Sequence, residues 1–186
     1  MRQIFLDTET TGLSPVVGHR MVEVACVEIV NGEATGRVFH HYIDPQCDVP
    51  AKAVSIHGLT SEFLKDKPLF IDIAAELIEF ITGAEVLIHN APFDLAFLDH
   101  ELRNAGIQMP FVNLCSKVTD TLTAFRNRFP GQRCSLQALC ERLHVELNDD
   151  EIWHTAMTDA KALARLWSLA QNDALVNLAQ EPTDIN

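Results

Sequence analysis

The chain has 186 residues, 47% of them hydrophobic, which is enough for one globular domain with a sizeable core. Its 26 acidic residues outnumber 14 Lys and Arg, and the net charge of −12 excludes the broad basic face that usually marks a nucleic-acid binder. A polyanionic substrate would then need metal ions to supply positive charge locally and another protein to supply affinity. No apolar run is long enough to span a bilayer, and "MRQIFLD" enters a strand pattern directly, unlike a signal peptide. The five cysteines, Cys26, Cys47, Cys115, Cys134 and Cys140, form no C-x-x-C pairs, so they read as reduced core or near-core thiols of a cytoplasmic protein.

The chain opens on a strand. In "RQIFLDT", Ile4 and Leu6 fall on one side, with Phe5, Asp7 and Glu9 on the other. "HRMVEVACVEIV" predicts a second strand and "TGRVFHHYID" a third, joined through Asn31-Gly32, a strong hairpin signal. The period then changes. From about Phe70 to Thr82, Ile73, Leu77 and Ile81 are spaced as on a helix that Gly83 ends. "EVLIH" is a short buried strand, and "PFDLAFLDHELRNAG" a helix with Pro92 in its first turn and Gly106 beyond its end. A weaker strand is expected near "FVNLC", Ser135 suits the N-cap of "LQALCERLH", and the last helix runs from about Thr155 to Ala170. Three antiparallel strands followed by alternating helix and strand predict an α/β fold with a mixed sheet. No internal repeat, low-complexity tract or linker interrupts the chain before its last fifteen residues.

Several acids fall where a core should be. Residues i and i+2 of a strand face the same way, so Asp7 and Glu9 point together. They are either harmless acids on an exposed edge or two ligands of one divalent ion; the flanking Ile4, Phe5 and Leu6 favour the second. Asp94 shares a helical stripe with Leu98 and Leu102, although a first-turn acid also complements the helix dipole. Asp159 falls on the stripe of Leu163, Leu166 and Ala170, where it could equally be a capping acid. Hard oxygen donors in this number, without cysteine or paired histidine, suit Mg²⁺ or Mn²⁺ rather than zinc. Two such ions can clamp an in-line displacement at phosphorus. His154 lies five residues before Asp159, off its helical face, and is expected on the loop entering the helix. There it is either a surface residue or a general base suited to neutral pH.

These segments, "DTETTG" with Asp7 and Glu9, "HNAPFD" with Asp94 and "HTAMTDA" with His154 and Asp159, resemble in order and spacing the three motifs of the DEDDh exonucleases. Within that family the chain is most similar to the proofreading (epsilon) subunits of bacterial DNA polymerase III. "SIHGLTSEFLKDKP" and "LCSKVTDTLTAFRNRFPGQRCSLQALCERL" carry the similarity outside the acid motifs, from about Arg2 to Ala170. The resemblance implies a ribonuclease H-like fold and stepwise 3′→5′ hydrolysis of DNA to nucleoside 5′-monophosphates in a bacterial cytoplasm. It implies two divalent ions, Mg²⁺ or Mn²⁺, with Asp7, Glu9 and Asp159 on the first and Asp94 assisting mainly through water or the second. His154 would deprotonate the attacking water. His57 would contact the terminal nucleotide, the Thr10 backbone would meet the 3′ end, and Asn90 would support either the substrate or the fold. Asp7, Glu9 and Asp159 would also face the substrate. The implied partners are a DNA 3′ end, the polymerase III catalytic subunit, a small accessory subunit and a sliding clamp.

The chain departs from the family pattern in places. Thr155 follows the histidine where relatives usually have Gly, which would restrict the loop. Asp149, Asp150 and Glu151 precede His154, where a more basic or neutral stretch is common; they would raise the histidine's pKa or weaken DNA approach. Ala51 replaces a substrate-contacting Glu. The expected organisation is an exonuclease domain over residues 1–171 and a polar tail over 172–186, ending "AQEPTDIN", too short for the linker and polymerase-binding segment that epsilon subunits commonly carry. "QNDALV" (Gln171 to Val176) loosely resembles a clamp-binding peptide and reads more simply as a helix end. Two other functions stay open at this point: a stand-alone DEDDh nuclease trimming RNA or short oligonucleotides, and a non-catalytic module that binds 3′ ends or acts as a scaffold.

Overall fold

The alternation of "RQIFLDT" becomes β1 (Arg2–Thr10) in the computed structural model of the protein, which describes residues 1–171. β2 (Met21–Val30) and β3 (Glu33–Tyr42) follow antiparallel, as expected. Asn31 and Gly32 between them have φ of 53° and 87°, the two positive angles that a tight two-residue hairpin of this twist requires. Next come α1 (Ala51–His57), α2 (Ser61–Leu64), α3 (Phe70–Ile81), β4 (Glu85–Ile88) and α4 (Ala91–Asn104). The chain continues through β5 (Lys117–Asp120), α5 (Thr121–Arg128), α6 (Leu136–Arg142) and α7 (Ala156–Ala170). β4 lies parallel to β1 and β5 parallel to β4, giving the sheet order β3-β2-β1-β4-β5. β1 therefore separates an antiparallel half from a parallel half.

Helices cover both faces, and side-chain alternation along β1 decides which residues meet which layer. Ile4 and Leu6 pack with Val86 and Ile88 against Leu77 and Ile81 of α3 and Phe97, Leu98 and Leu102 of α4. Phe5 and Leu87 face the other way, onto Phe125 of α5, Leu139 of α6 and Leu163 and Leu166 of α7. Burying such side chains stabilises the fold by about 1.5–3 kcal/mol each. The stripes that carry Asp94 and Asp159 are thus core-facing, as their spacing predicts.

Two expectations need correction, and three short helices come in addition. "FVNLC" is not a strand: Phe111–Asn113 makes a 3₁₀ turn after Pro110, with the Phe111 N–H donating to Asp99 Oδ1 at 2.7 Å, and the strand comes later, at Lys117. The short helices α1, α2 and α5 are too brief to show a helical period and were not anticipated. Among the cysteines, all free, Cys47 is exposed rather than near the core. Most of the "QNDALV" stretch and the tail over 172–186 lie outside the described residues.

Candidate active site

Asp7 and Glu9 project from the second half of β1 onto its α7 face, where Asp159 meets them from the first turn of α7. One carboxylate oxygen from each lies within 4.8 Å of the other two, and all three residues are half-buried. The register of β1 against β2 shifts between Glu9 and Thr10, a local irregularity of the kind that re-aims a side chain beside a site. Asp94 stands outside this trio. It comes from the first turn of α4 on the opposite side of β1, is buried, and accepts a hydrogen bond from Thr8 Oγ1 at 2.6 Å. Its charge still reaches the trio.

The electrostatics of this cluster are unfavourable without a cation. Burial, and then the charges of Asp94, Asp159, Glu9 and Glu23, hold the Asp7 carboxyl well above its ordinary range. Glu9 is pushed up to about 9, by burial first and then by Asp159, Glu23 and Asp94. Burial lifts Asp94 to about 7 against the pull of the Thr8 hydroxyl. It lifts Asp159 to about 7 as well, with the His154 backbone pulling down and Glu23 pushing up. Like charges at this spacing cannot all ionise unaided. Asp159 Oδ1 is buried with no hydrogen-bond partner. An orphaned anionic oxygen among hard oxygen donors fits a divalent cation.

His154 lies where its spacing predicts, exposed on the loop before α7, with its backbone in the left-handed region at φ 66°. Thr155 does not demand glycine: its φ of −119° is extended, and its hydroxyl oxygen caps α7 by accepting from Thr158 N–H at 3.3 Å. Of the acids before His154, Asp149 and Asp150 are exposed, whereas Glu151 turns onto α7 and pairs with Arg165. Ala51 is exposed at the start of α1.

Beside Glu9 opens a cleft of about 440 Å³ with largely apolar walls, among them Leu13, Val17, Ile56 and Phe93. His57 and Thr10 line it too. The Nδ1 of His57 accepts the Leu59 N–H at 3.0 Å, so in the neutral ring the proton sits on Nε2, which makes no hydrogen bond of good geometry. Burial lowers the pKa of this ring, opposed by the Thr10 carbonyl. Thr10 is buried and donates its hydroxyl to Gly12 O at 2.7 Å. Asn90 is not at the cleft: it takes the left-handed turn (φ 73°) into α4, and its N–H donates to Asp120 Oδ1 at 3.1 Å.

Two buried acids escape the sequence reading, Glu23 beside the site and Glu101 farther along α4. Glu23, fully buried on β2 opposite Glu9, accepts the Ala156 N–H at the start of α7 (3.1 Å) and pairs with His40 Nε2 at 2.7 Å. Its signal was available, since it interrupts the apolar run Val22–Val24 just as Asp7 interrupts its own strand. Glu101 of α4, also buried, takes both Nε and Nη2 of Arg20, at 2.8 and 2.7 Å, tying α4 to the start of β2. Nothing local in the sequence announces that pair.

Solved structures share the architecture. Exonuclease I superposes with a TM-score of 0.81 at 20% identity, over 95% of this chain and 42% of that one. The nuclease domain of 3′hExo, a DEDDh family member bound to rAMP, gives 0.77 at 18%, over 92% of each chain. The likeness is one of fold, a five-stranded mixed sheet flanked by helices. Residues 4–167 match the Exonuclease (RNase_T) family. DNA polymerase III subunit epsilon of Rickettsia prowazekii is 45% identical over 189 residues, spanning 100% of this chain and 82% of the relative. The subunit of the same name from Escherichia coli K12 is 44% identical over 170 residues, or 89% and 70%. The chain belongs to this exonuclease family, in the branch of the bacterial DNA polymerase III epsilon subunits.

Proposed function

We propose that the chain shortens DNA from its 3′ end one nucleotide at a time, releasing nucleoside 5′-monophosphates, as the editing subunit of a replicative polymerase in the bacterial cytoplasm. The observation that carries this reading is the convergence of Asp7, Glu9 and Asp159, with Glu9 lining an apolar cleft and His154 exposed on the loop that leads into the Asp159 helix. Asp7, Glu9 and Asp159 would hold one divalent ion, and Asp94 would serve a second mainly through water. Two Mg²⁺ or Mn²⁺ ions supply, when bound, the positive charge that stabilises an in-line displacement at phosphorus.

The protein groups have separate tasks. The terminal nucleoside enters the cleft between Leu13, Ile56 and Phe93, and His57 donates from Nε2 to the end of the chain. The Thr10 backbone meets the 3′ terminus; Asn90 serves the turn that aims Asp94. His154, free in solvent on its loop, takes a proton from the attacking water. The acidic chain repels DNA broadly, so affinity comes from a partner: the polymerase catalytic subunit, with a small accessory subunit and a sliding clamp as further members of the assembly. Among the described residues no helix is long and apolar enough to cross a membrane.

The test is degradation of a 3′-mismatched DNA primer–template beside its matched version and a matched RNA, with Mg²⁺, Mn²⁺ or EDTA. Metal-dependent shortening by single nucleotides, faster on the mismatched DNA end, is the expected result. Preference for RNA would reassign the chain to trimming, and no hydrolysis with either metal would remove the chemistry altogether.

A further inference from the structure

His154 presents a mechanical problem. A general base must be held within a fraction of an ångström of its working position, yet this one sits exposed on an irregular segment between α6 and α7. Trp153 anchors the segment in part, packing against the core that contains Leu163 and Leu166. Its C-terminal end is fixed where Glu23 accepts the Ala156 N–H, two residues past the histidine. Its other end depends on Glu151.

The Glu151 side chain is only 3% exposed, although it belongs to a loop whose preceding residues, Asn148, Asp149 and Asp150, all face solvent. Its Oε2 accepts from Arg165 Nη2 at 2.5 Å and from the loop's own Asn148 N–H at 2.8 Å. Lys161 Nζ approaches Oε1 at 3.8 Å. Glu151 therefore folds its loop around itself and fastens it to α7. Arg165 lies on the same helix as Asp159, so base loop and carboxylate share one rigid support.

We infer that Glu151 and Arg165 are positioning residues: their ion pair clamps the loop to α7 and so sets where His154 stands relative to Asp159. The inference rests on His154 being the base of the proposed reaction. An exposed ion pair would contribute little; here the Arg165 side chain is a third exposed, but the Glu151 carboxylate is shielded from water and also closes a backbone turn, which gives it geometric authority over the next three residues.

The full 186-residue chain is assayed on a single-stranded DNA oligonucleotide with Mn²⁺, comparing Glu151→Gln, Arg165→Gln and the charge swap Glu151→Arg/Arg165→Glu. Each single change should lower kcat on the order of 10- to 100-fold, the scale of a misplaced reacting group, with KM within about twofold. The swap should recover most of the loss, because opposite charges again face each other. In a His154→Ala background, Glu151→Gln should cost nothing further. Backbone amide order parameters of residues 152–155 should fall in Glu151→Gln and return in the swap. An equal loss in the His154→Ala background, or unchanged order parameters, would overturn the clamp. Full activity of Glu151→Gln beside an impaired His154→Ala overturns it too, and leaves the base assignment standing. Full activity of His154→Ala refutes the base, and with it any catalytic purpose for the clamp.

Discussion

Asp7 and Glu9 could be read from the sequence because a charge inside an apolar strand costs several kcal/mol unless something compensates it. The same logic exposed Asp94 and Asp159, and it reaches Glu23 once the run around Val22–Val24 is held to the same standard. It could not reveal that Glu151 turns inward, since its environment comes from Arg165, one helix away. His154→Ala should reduce the rate by about 10²–10⁴-fold and leave Mn²⁺ affinity by calorimetry nearly unchanged. Asp7→Ala should lose affinity and activity together. The raised carboxyls also predict a pH dependence. Folded Glu9, Asp94 and Asp159 hold their protons to about 9, 7 and 7, against ordinary values of 4.5, 3.8 and 3.8. As pH rises the unfolded chain loses these protons first, so the metal-free protein should lose stability from about pH 4 to about pH 9. Melting in EDTA should show Tm falling across that window while the increment from added Mn²⁺ grows. A Tm in EDTA that stays level would contradict this electrostatic account.

Among elements, those long enough to display a period were legible: α3, α4 and α7, the hairpin of β2 and β3, and β1. α1 and α5 are seven and eight residues long, and β5 has four, too short for period 3.6 or period 2 to declare itself. The sequence places a strand before β5 because Phe111, although buried, is a single anchor under α4 and not part of an alternating run. Asp120 shows what such short elements contribute. Its carboxylate takes the N–H groups of Asn90, Ala91 and Leu122 and the Thr123 hydroxyl, so one side chain caps α5 and fixes the start of α4, three residues before Asp94. Asp120→Ala should destabilise the protein by about 1–3 kcal/mol in urea titration. It should also lower the exonuclease rate, because the turn that aims Asp94 loosens. Asp120→Asn, which keeps an acceptor oxygen, should fall between; an Ala variant with full activity would detach Asp120 from the site.

At the scale of the whole molecule, the −12 net charge is legible in the composition alone. A chain of that charge favours release of a polyanion over its capture. In fluorescence anisotropy with a labelled 3′-recessed duplex at physiological salt, Ca²⁺ replacing the active ions, binding by the free chain should be no tighter than the roughly 10⁻⁴–10⁻⁶ M of non-specific contacts. Its dependence on salt should be shallow, for few phosphates meet a Lys or Arg. Tight binding by the isolated chain would contradict the idea that affinity is borrowed.

β1 runs from the start of the chain to the acid cluster, and Met1 reaches Asn31 at the tip of the β2–β3 hairpin. From Arg2 to Glu9 the strand extends by about 24 Å at its ordinary rise. The amino terminus and the hairpin tip thus form a pole remote from the chemistry. A tether, dye or surface attachment placed at that pole would leave the 3′ end of a substrate unobstructed. Single-molecule observation of successive cleavage events would therefore begin there, with the enzyme fixed by its first residue and the DNA arriving from the other side.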